Sequence, residues 1–319
     1  MAKKVLVTDH VFGGLEIERE TLEPLGAEVV LSDTVEEEAL VEQAASADAL
    51  MVCFAQLTAP ILEAAAGNGC KIVSRYGIGI DNIDVARATE LGMQVTNVPD
   101  YCLDEVADHA LATMLALARE VVTGANVVRD GGWQIPHGTV HRLRGRRLAL
   151  LGVGRIGRRV VERALPFGLE VVGYDPFLDE EVPGLTQVES PEEAVREADF
   201  VSLHAPLTDD TRHLVGAALI EAMERAPIVV NTSRGPLVDC EAALAGLESG
   251  KLGGVALDVT EPEPLPDGDP LRTHPRALVT PHMAFYSVEA EADLQSRAAD
   301  EVARYLIGAA PRSPVNQPA

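Results

Sequence analysis

Lysine is scarce in this chain, occurring only at Lys3, Lys4, Lys71 and Lys251, and arginine supplies nearly all the remaining positive charge. Basic residues number 26 against 50 acidic ones, for a net charge of −24. Such a charge repels polyanions, so nucleic acid is excluded as a partner unless a local basic patch overrides it. Cysteine is equally sparse. Cys53, Cys70, Cys102 and Cys240 lie far apart, with no C-x-x-C pair and no histidines at metal-finger spacing. A disulfide framework and a metal site are therefore disfavoured, and the four read as reduced packing residues. No run of 18 apolar residues occurs, which removes the simple signature of a membrane helix. The opening MAKKVLVTD carries two lysines before a strand-like run too short for a signal peptide. The expectation is a cytoplasmic protein without membrane partners.

What is present is ordinary globular material: 319 residues, 47% hydrophobic and 24% charged, enough for two domains. Short apolar runs alternate with amphipathic helical segments, the pattern of parallel sheets flanked by helices. Eleven candidate strands can be read: KVLVTD, AEVVLS, ALMVCF, KIVSRY, MQVTNV, RLALLGV, EVVGYD, FVSLHA, PIVVNT, GGVALDV and ALVTPH. Eleven suggest two sheets. The longest helical pattern, from Asp104 to Arg129, is a natural crossing between domains. The Pro-rich EPEPLPDGDP reads as a loop, and the tail APRSPVNQPA as a loop or frayed terminus.

The strongest local signal is RLALLGVGRIGRRVVERALPFGLEVVGYDP. A strand runs into Gly152-Val153-Gly154-Arg155-Ile156-Gly157, then a helix, then a second strand ending at Asp175, 18 residues beyond Gly157. Gly152 permits the tight turn, Gly154 lets the backbone approach a pyrophosphate, and Gly157 allows close helix packing. The helix N-terminus offers N–H groups to the anion. Asp175 stands where a carboxylate accepts hydrogen bonds from the adenosine ribose, and its charge opposes a 2′-phosphate, which favours NAD over NADP. For the glycine motif taken alone, a simple turn is the alternative.

Doubly wound folds bind ligands at the C-terminal ends of their strands. Those ends are His204-Ala205-Pro206, Thr232-Ser233-Arg234, Asp258 and His282, which converge on one crevice if the sheet is continuous. Arg234 leaves its strand beside Gly235 and would face that crevice; capping the next helix or pairing with Asp239 is the other possibility.

Seven segments in order, GIGIDNID (77–84), TNVPDY (96–101), GVGRIG (152–157), HAPLT (204–208), NTSRG (231–235), ALDVTEPEP (256–264) and TPH (280–282), resemble the D-isomer-specific 2-hydroxyacid dehydrogenases. The likeness extends from about residue 5 to 310. The aromatic pair in PHMAFYS is most similar to the C-terminal-binding-protein branch and its bacterial relatives, where other branches, including phosphoglycerate dehydrogenases, usually place glycine.

The resemblance implies an NAD-dependent oxidoreductase that interconverts a 2-keto acid and a D-2-hydroxy acid. Arg234 would anchor the substrate carboxylate and carbonyl, His282 would give and take the proton, and Glu263 would be its acidic partner. Glu261, two residues earlier, is the rival carboxylate. The chemistry asks for these types independently: imidazole titrates at about 6.5 and can protonate a carbonyl oxygen near neutrality, and a guanidinium offers a planar fork to an anion. The cofactor set implied is Gly152, Gly154, Arg155, Ile156, Gly157, Asp175, His204, Pro206, Thr232, Ser233, Arg234, Asp258 and His282. Substrate contacts would come from the backbone of Ile78 and Gly79, from the Tyr101 hydroxyl and from Arg234. Arg75 is a candidate for a further anionic group, with a surface ion pair as the competing explanation. His109, in the crossing helix, reads as structural.

The implied architecture is α/β, two doubly wound parallel-sheet domains. A Rossmann-type cofactor domain, 101–284, is inserted into a flavodoxin-like substrate domain formed by 1–100 and 285–319. Two chain crossings would make a hinge over a cleft. The segment 121–146, which includes the single tryptophan Trp133, resembles the arm through which relatives form homodimers across their cofactor domains. No room is expected for an appended regulatory domain. Two other readings stand beside the dehydrogenase: an NAD(H)-sensing corepressor-like scaffold with incidental turnover, and a dehydrogenase of another small anion such as phosphite.

Overall fold

A computed structural model describes residues 2–135 and 139–318. The chain divides into two units, Met1–Tyr101 with Ser287–Ala319, and Cys102–Tyr286. Residues 136–138 of the expected 121–146 arm lie outside the described residues.

The first unit holds five parallel strands, β1 (Lys3–Val7), β2 (Ala27–Leu31), β3 (Ala49–Val52), β4 (Ile72–Arg75) and β5 (Gln94–Thr96), in the order β2-β1-β3-β4-β5. That is the flavodoxin-like order. Alternate residues of β1 explain how the sheet is covered on both faces. Val5 and Val7 join the cluster with Leu22, Leu294 and Val302, from helices Glu16–Leu22 and Val288–Leu306. Leu6 points the other way, among Leu40, Ile61 and Leu62, from helices Glu37–Ala44 and Ala59–Gly67. Each such fully buried side chain is worth roughly 1.5–3 kcal/mol relative to an exposed one.

The second unit holds seven parallel strands: β6 (Arg147–Leu151), β7 (Glu170–Tyr174), β8 (Leu185–Gln187), β9 (Phe200–Leu203), β10 (Ile228–Asn231), β11 (Gly254–Leu257) and β12 (Ala277–Val279). Their order, β12-β11-β10-β9-β6-β7-β8, is the Rossmann order with one added edge strand. The direction of the strand connections reverses between β6 and β9, and ligands in such folds sit at that switch point. The eleven strands read from sequence all form. The twelfth, β8, is three residues at a sheet edge with two of them exposed, too short and too polar to leave a periodic signal.

Two expectations are corrected. The helix expected from Asp104 to Arg129 is two helices, Leu103–Ala118 and Val121–Arg129, bent by 60°. Glu120 breaks it by taking φ +49. The first helix is Ala- and Leu-rich and buries Ala107, Ala110, Leu111 and Met114; the second begins with three β-branched residues and buries none, so neither propensity nor packing favours a continuous rod. The tail is also not frayed. Val315 donates its N–H to the Val95 carbonyl at 2.8 Å, and Pro314 bridges Thr96, so the tail covers the β5 edge. Asn316 holds it there with four side-chain hydrogen bonds, to Thr89, Met93, Gln94 and the Val95 N–H. Among the described residues no single helix is long and apolar enough to cross a membrane.

Candidate active site

The glycine loop follows β6 and opens helix Arg155–Ala164. Gly152 has φ +95, and a Cβ there would lie 2.6 Å from the backbone of His204 and Ala205. A Cβ on Gly157 would lie 2.7 Å from the Gly152 carbonyl oxygen. Both positions are glycine because backbone passes within van der Waals distance. Gly154 differs: it begins the helix at φ −69, and a Cβ there would meet nothing within 4 Å. That open space in front of a helix N-terminus is where an anionic group can approach the backbone.

Asp175 ends β7 half-buried. Its Oδ2 accepts from Val153 N–H at 2.8 Å and its Oδ1 from Phe177 N–H at 2.9 Å. Each oxygen keeps a second lone pair for a hydroxyl. His204, after β9, contacts the Ser202 hydroxyl through Nε2 at 2.8 Å. Burial pushes its imidazole down to about 4, so the ring is neutral at physiological pH and is no proton donor there. Its Nδ1 and the Thr232 hydroxyl are buried without hydrogen-bond partners among the described residues. A dinucleotide fits these features: an open Gly154, a fixed carboxylate for ribose hydroxyls and two buried polar atoms, after β9 and β10, needing partners. Ser233 is already engaged, donating its hydroxyl to the Leu203 carbonyl at 2.7 Å.

Arg234, Glu263 and His282 are brought together in the second unit. Buried Asn231 shapes the β10 exit by donating to the Arg234 carbonyl at 2.8 Å and accepting from the Ser233 N–H at 3.0 Å. Gly235 then allows the next approach: a Cβ there would lie 1.9 Å from the Thr260 carbonyl oxygen. The close packing lays the Arg234 turn against the loop that carries Glu263. Glu263 Oε1 is 2.5 Å from His282 Nδ1. Partial burial raises the Glu263 carboxyl, but the His282 hydrogen bond and charge, the Thr260 N–H and the Arg234 charge outweigh it, and the net shift is downward. The rival carboxylate is occupied elsewhere: Glu261 meets Arg212 at 2.7 Å and His213 at 2.9 Å. Asp239 caps helix Cys240–Ser249 by accepting from the Glu241 and Ala242 N–H groups. His282 itself sits at φ +50, with its ring edge-on to Phe285 at 6.4 Å between centroids.

Asp258 is placed differently from the other strand-end residues. Rather than facing outward from β11, its buried carboxylate accepts from the Thr280 hydroxyl at 2.6 Å and from the Met283 and Ala284 N–H groups at 2.9 and 2.8 Å.

Ile78, Gly79 and Tyr101 belong to the first unit. The loop after β4 is shaped by Gly77, at φ +140, whose carbonyl accepts from Val98 N–H at 3.0 Å, while the Ile78 carbonyl accepts from the Asn97 side chain at 2.7 Å. Tyr101 is half-buried against the cluster containing Tyr76 and Val98. Arg75 is buried with its guanidinium over Gly77, donating to the Tyr76 carbonyl. Sequence reasoning missed Asn231 and Thr280. The available signal was a polar residue closing an otherwise apolar strand, IVVN and ALVT, where an unpaired side chain would be costly.

Residues 111–284 match the family model described as D-isomer specific 2-hydroxyacid dehydrogenase, NAD binding domain. The chain is 37% identical over 319 residues to a D-3-phosphoglycerate dehydrogenase of Methanocaldococcus jannaschii, covering 99% of this chain and 60% of that protein. It is also 37% identical to a glyoxylate reductase of Korarchaeum cryptofilum, covering 87% of this chain and 85% of that one. Among solved structures, the TT0316 protein from Thermus thermophilus superposes with a TM-score of 0.90 at 36% identity, over 98% of this chain and all of the other. The chain thus spans less than two thirds of the phosphoglycerate dehydrogenase it matches. The glycine loop, its fixed carboxylate and these matches have one conclusion: the chain belongs to the D-isomer-specific 2-hydroxyacid dehydrogenase family, on its phosphoglycerate-dehydrogenase-like side, and Cys102–Tyr286 contains its NAD-binding domain.

Proposed function

We propose that the chain is an NAD-dependent oxidoreductase that interconverts a small 2-keto acid and its D-2-hydroxy acid. The observation that carries this reading is the 2.5 Å contact between His282 Nδ1 and Glu263 Oε1, with the Arg234 charge acting on the same carboxylate. NAD, when bound, supplies or accepts the hydride at the substrate C2. Arg234 holds the substrate carboxylate and stabilises the negative charge that develops on the carbonyl oxygen. His282 gives that oxygen a proton from Nε2, the nitrogen opposite the one that faces Glu263, and retrieves it in the reverse direction. Glu263 fixes the ring's orientation through Nδ1. His204, held neutral by burial, adds no positive charge or competing proton beside the cofactor. In the first unit, the Ile78 and Gly79 N–H groups and the Tyr101 hydroxyl are the proposed substrate contacts. The roles of Arg155, Ile156, Pro206, Thr232, Ser233 and Asp258 toward NAD belong to the same proposal.

The relatives named above are a dehydrogenase and a reductase, which favours turnover over an NAD(H)-sensing scaffold. A homodimer is part of the reading. Helix Val121–Arg129 buries none of its residues, and Val121, Val122, Val128, Trp133 and Ile135 are all exposed, Trp133 at 87%. An apolar surface of this kind suits a second copy of the chain.

The test is purified protein with NADH or NADPH against glyoxylate, pyruvate, hydroxypyruvate, phenylpyruvate, branched 2-keto acids and 3-phosphohydroxypyruvate. NADH consumption is expected with at least one of them, and its loss in Arg234→Ala and His282→Ala. No consumption with any acid, together with NADH-tightened dimerisation, would establish the scaffold instead. Preference for NADPH would overturn the role given to Asp175.

A further inference from the structure

His109, on helix Leu103–Ala118, reaches the loop that carries His282. His109 Nε2 lies 3.1 Å from the Thr280 hydroxyl oxygen and 3.6 Å from Asp258 Oδ1. The Thr280 hydroxyl has one proton, and the 2.6 Å contact to Asp258 uses it. Its oxygen can then only accept from His109, so Nε2 carries a proton and the chain of donors runs His109 to Thr280 to Asp258.

At the end of that chain the Asp258 carboxylate organises the whole turn. It accepts from the Met283 and Ala284 N–H groups, and the Asp258 carbonyl accepts from the His282 N–H at 2.8 Å. Three consecutive N–H groups are thus tied to one residue, and between them His282 is held at φ +50, a left-handed conformation that costs a non-glycine residue roughly 1–2 kcal/mol. Strain of that kind persists only where its surroundings over-determine it. Asp258 is 3% exposed and its carboxylate would swing if its outer lone pairs lost their donors. The His109 link brings a distant stretch of chain into this arrangement. It joins the segment by which the chain enters the second unit, at Cys102, to the segment by which it leaves, at Tyr286.

We propose that His109 is a positioning residue for proton transfer: by donating to Thr280 it fixes the Asp258 carboxylate, and through it the backbone conformation that aims the His282 ring. This deepens the reading of His282 as proton donor and rests on it. His109 itself touches neither substrate nor cofactor in the proposal.

The experiment compares His109→Leu, which cannot donate, His109→Gln, whose amide can, Thr280→Val, and the Leu/Val double variant. For whichever keto acid the wild type reduces, kcat should fall roughly tenfold or more in His109→Leu and in Thr280→Val, because small misplacement of a reacting group is costly. KM for NADH should change less than kcat, since the glycine loop and Asp175 are not in this network. The double variant should be no worse than the poorer single one, as expected of members of one chain. His109→Gln should restore most of kcat. The second readout needs no turnover: imidazole 15N resonances of His282, assigned with His282→Ala, should move in His109→Leu and Thr280→Val and return in His109→Gln. Unmoved His282 resonances in Thr280→Val, or full kcat in a folded His109→Leu protein, would overturn the proposal. If the wild type reduces no keto acid, the functional reading fails, and the resonances still decide whether His109 orients His282.

Discussion

Glu263 Oε1 and His282 Nδ1 stand 2.5 Å apart although 19 residues separate them in the chain. The contact depends on two backbone features: the close pass of Gly235 under Thr260, and the turn tied to Asp258. Glu263→Gln preserves shape while removing the charge. We expect kcat to fall by roughly 10²–10⁴-fold, the usual contribution of general acid–base catalysis, in steady-state assays with the best keto acid. The carboxyl is held below its ordinary value of 4.5 in the folded protein. The folded state therefore binds fewer protons than the unfolded one in that interval. The stabilisation is complete above 4.5 and is lost as pH falls through the lower folded value. Urea midpoints measured through the acid range should lack this step in Glu263→Gln.

Gly154 and Gly157 separate binding from folding. Gly154→Ala places its methyl in open space at a φ any residue adopts. Its Tm should match the wild type while NADH affinity falls about tenfold or more, read by fluorescence titration or calorimetry. Gly157→Ala puts a methyl 2.7 Å from the Gly152 carbonyl oxygen, so overpacking should lower stability by about 1–3 kcal/mol as well. Equal Tm values for the two variants would contradict this division.

His204 gives a pH dependence of its own. Burial lowers its imidazole from 6.5 to about 4. Between those values the unfolded chain takes up a proton that the folded chain does not. The stability is therefore present above 6.5 and is lost as pH falls toward about 4. Buried Glu18, whose carboxyl burial pushes up, has the opposite sign: its contribution is present below 4.5 and lost as pH rises through its folded value. Comparing wild type with His204→Gln cancels that background. The difference in urea midpoint should shrink as pH falls through the window; a constant difference would show that the imidazole is not desolvated.

Asn316→Ala should destabilise the first unit by about 2 kcal/mol, because four side-chain hydrogen bonds are lost and the Val95 N–H is left uncovered. Chemical denaturation measures the loss. Faster amide exchange at Val315 would show the tail lifting from β5, and an unchanged rate would argue that backbone pairing alone retains it.

Much of this was legible in the residues because the fold's signals are local. Buried parallel strands are short apolar runs, and the glycines around Gly154 are explained by backbone proximity. The pairing of Glu263 with His282, and not Glu261, came from the family's spacing; geometry supplies the cause, since Arg212 and His213 take the nearer carboxylate. What stayed hidden depends on contacts that no periodicity encodes. Helix Val121–Arg129 looked continuous with its predecessor because apolar content persists while burial ends. The Pro-rich tail looked disordered because pairing by Val315 and Asn316 with β5 is set by a strand more than 200 residues away. The hydrogen bonds by which Asp258 folds back on its own loop are likewise invisible in sequence, where a strand-end carboxylate carries no mark of its partners.

The interrupted course of the first unit governs the order in which the protein can be made. Its sheet is begun by Lys3–Val7, yet helix Val288–Leu306 packs on β4 and the Asn316 tail closes β5. Cys102–Tyr286, by contrast, is a single stretch. On a ribosome the nucleotide-binding unit can fold while residues 2–101, already synthesised, wait with an apolar sheet face uncovered for Val288–Leu306 to emerge.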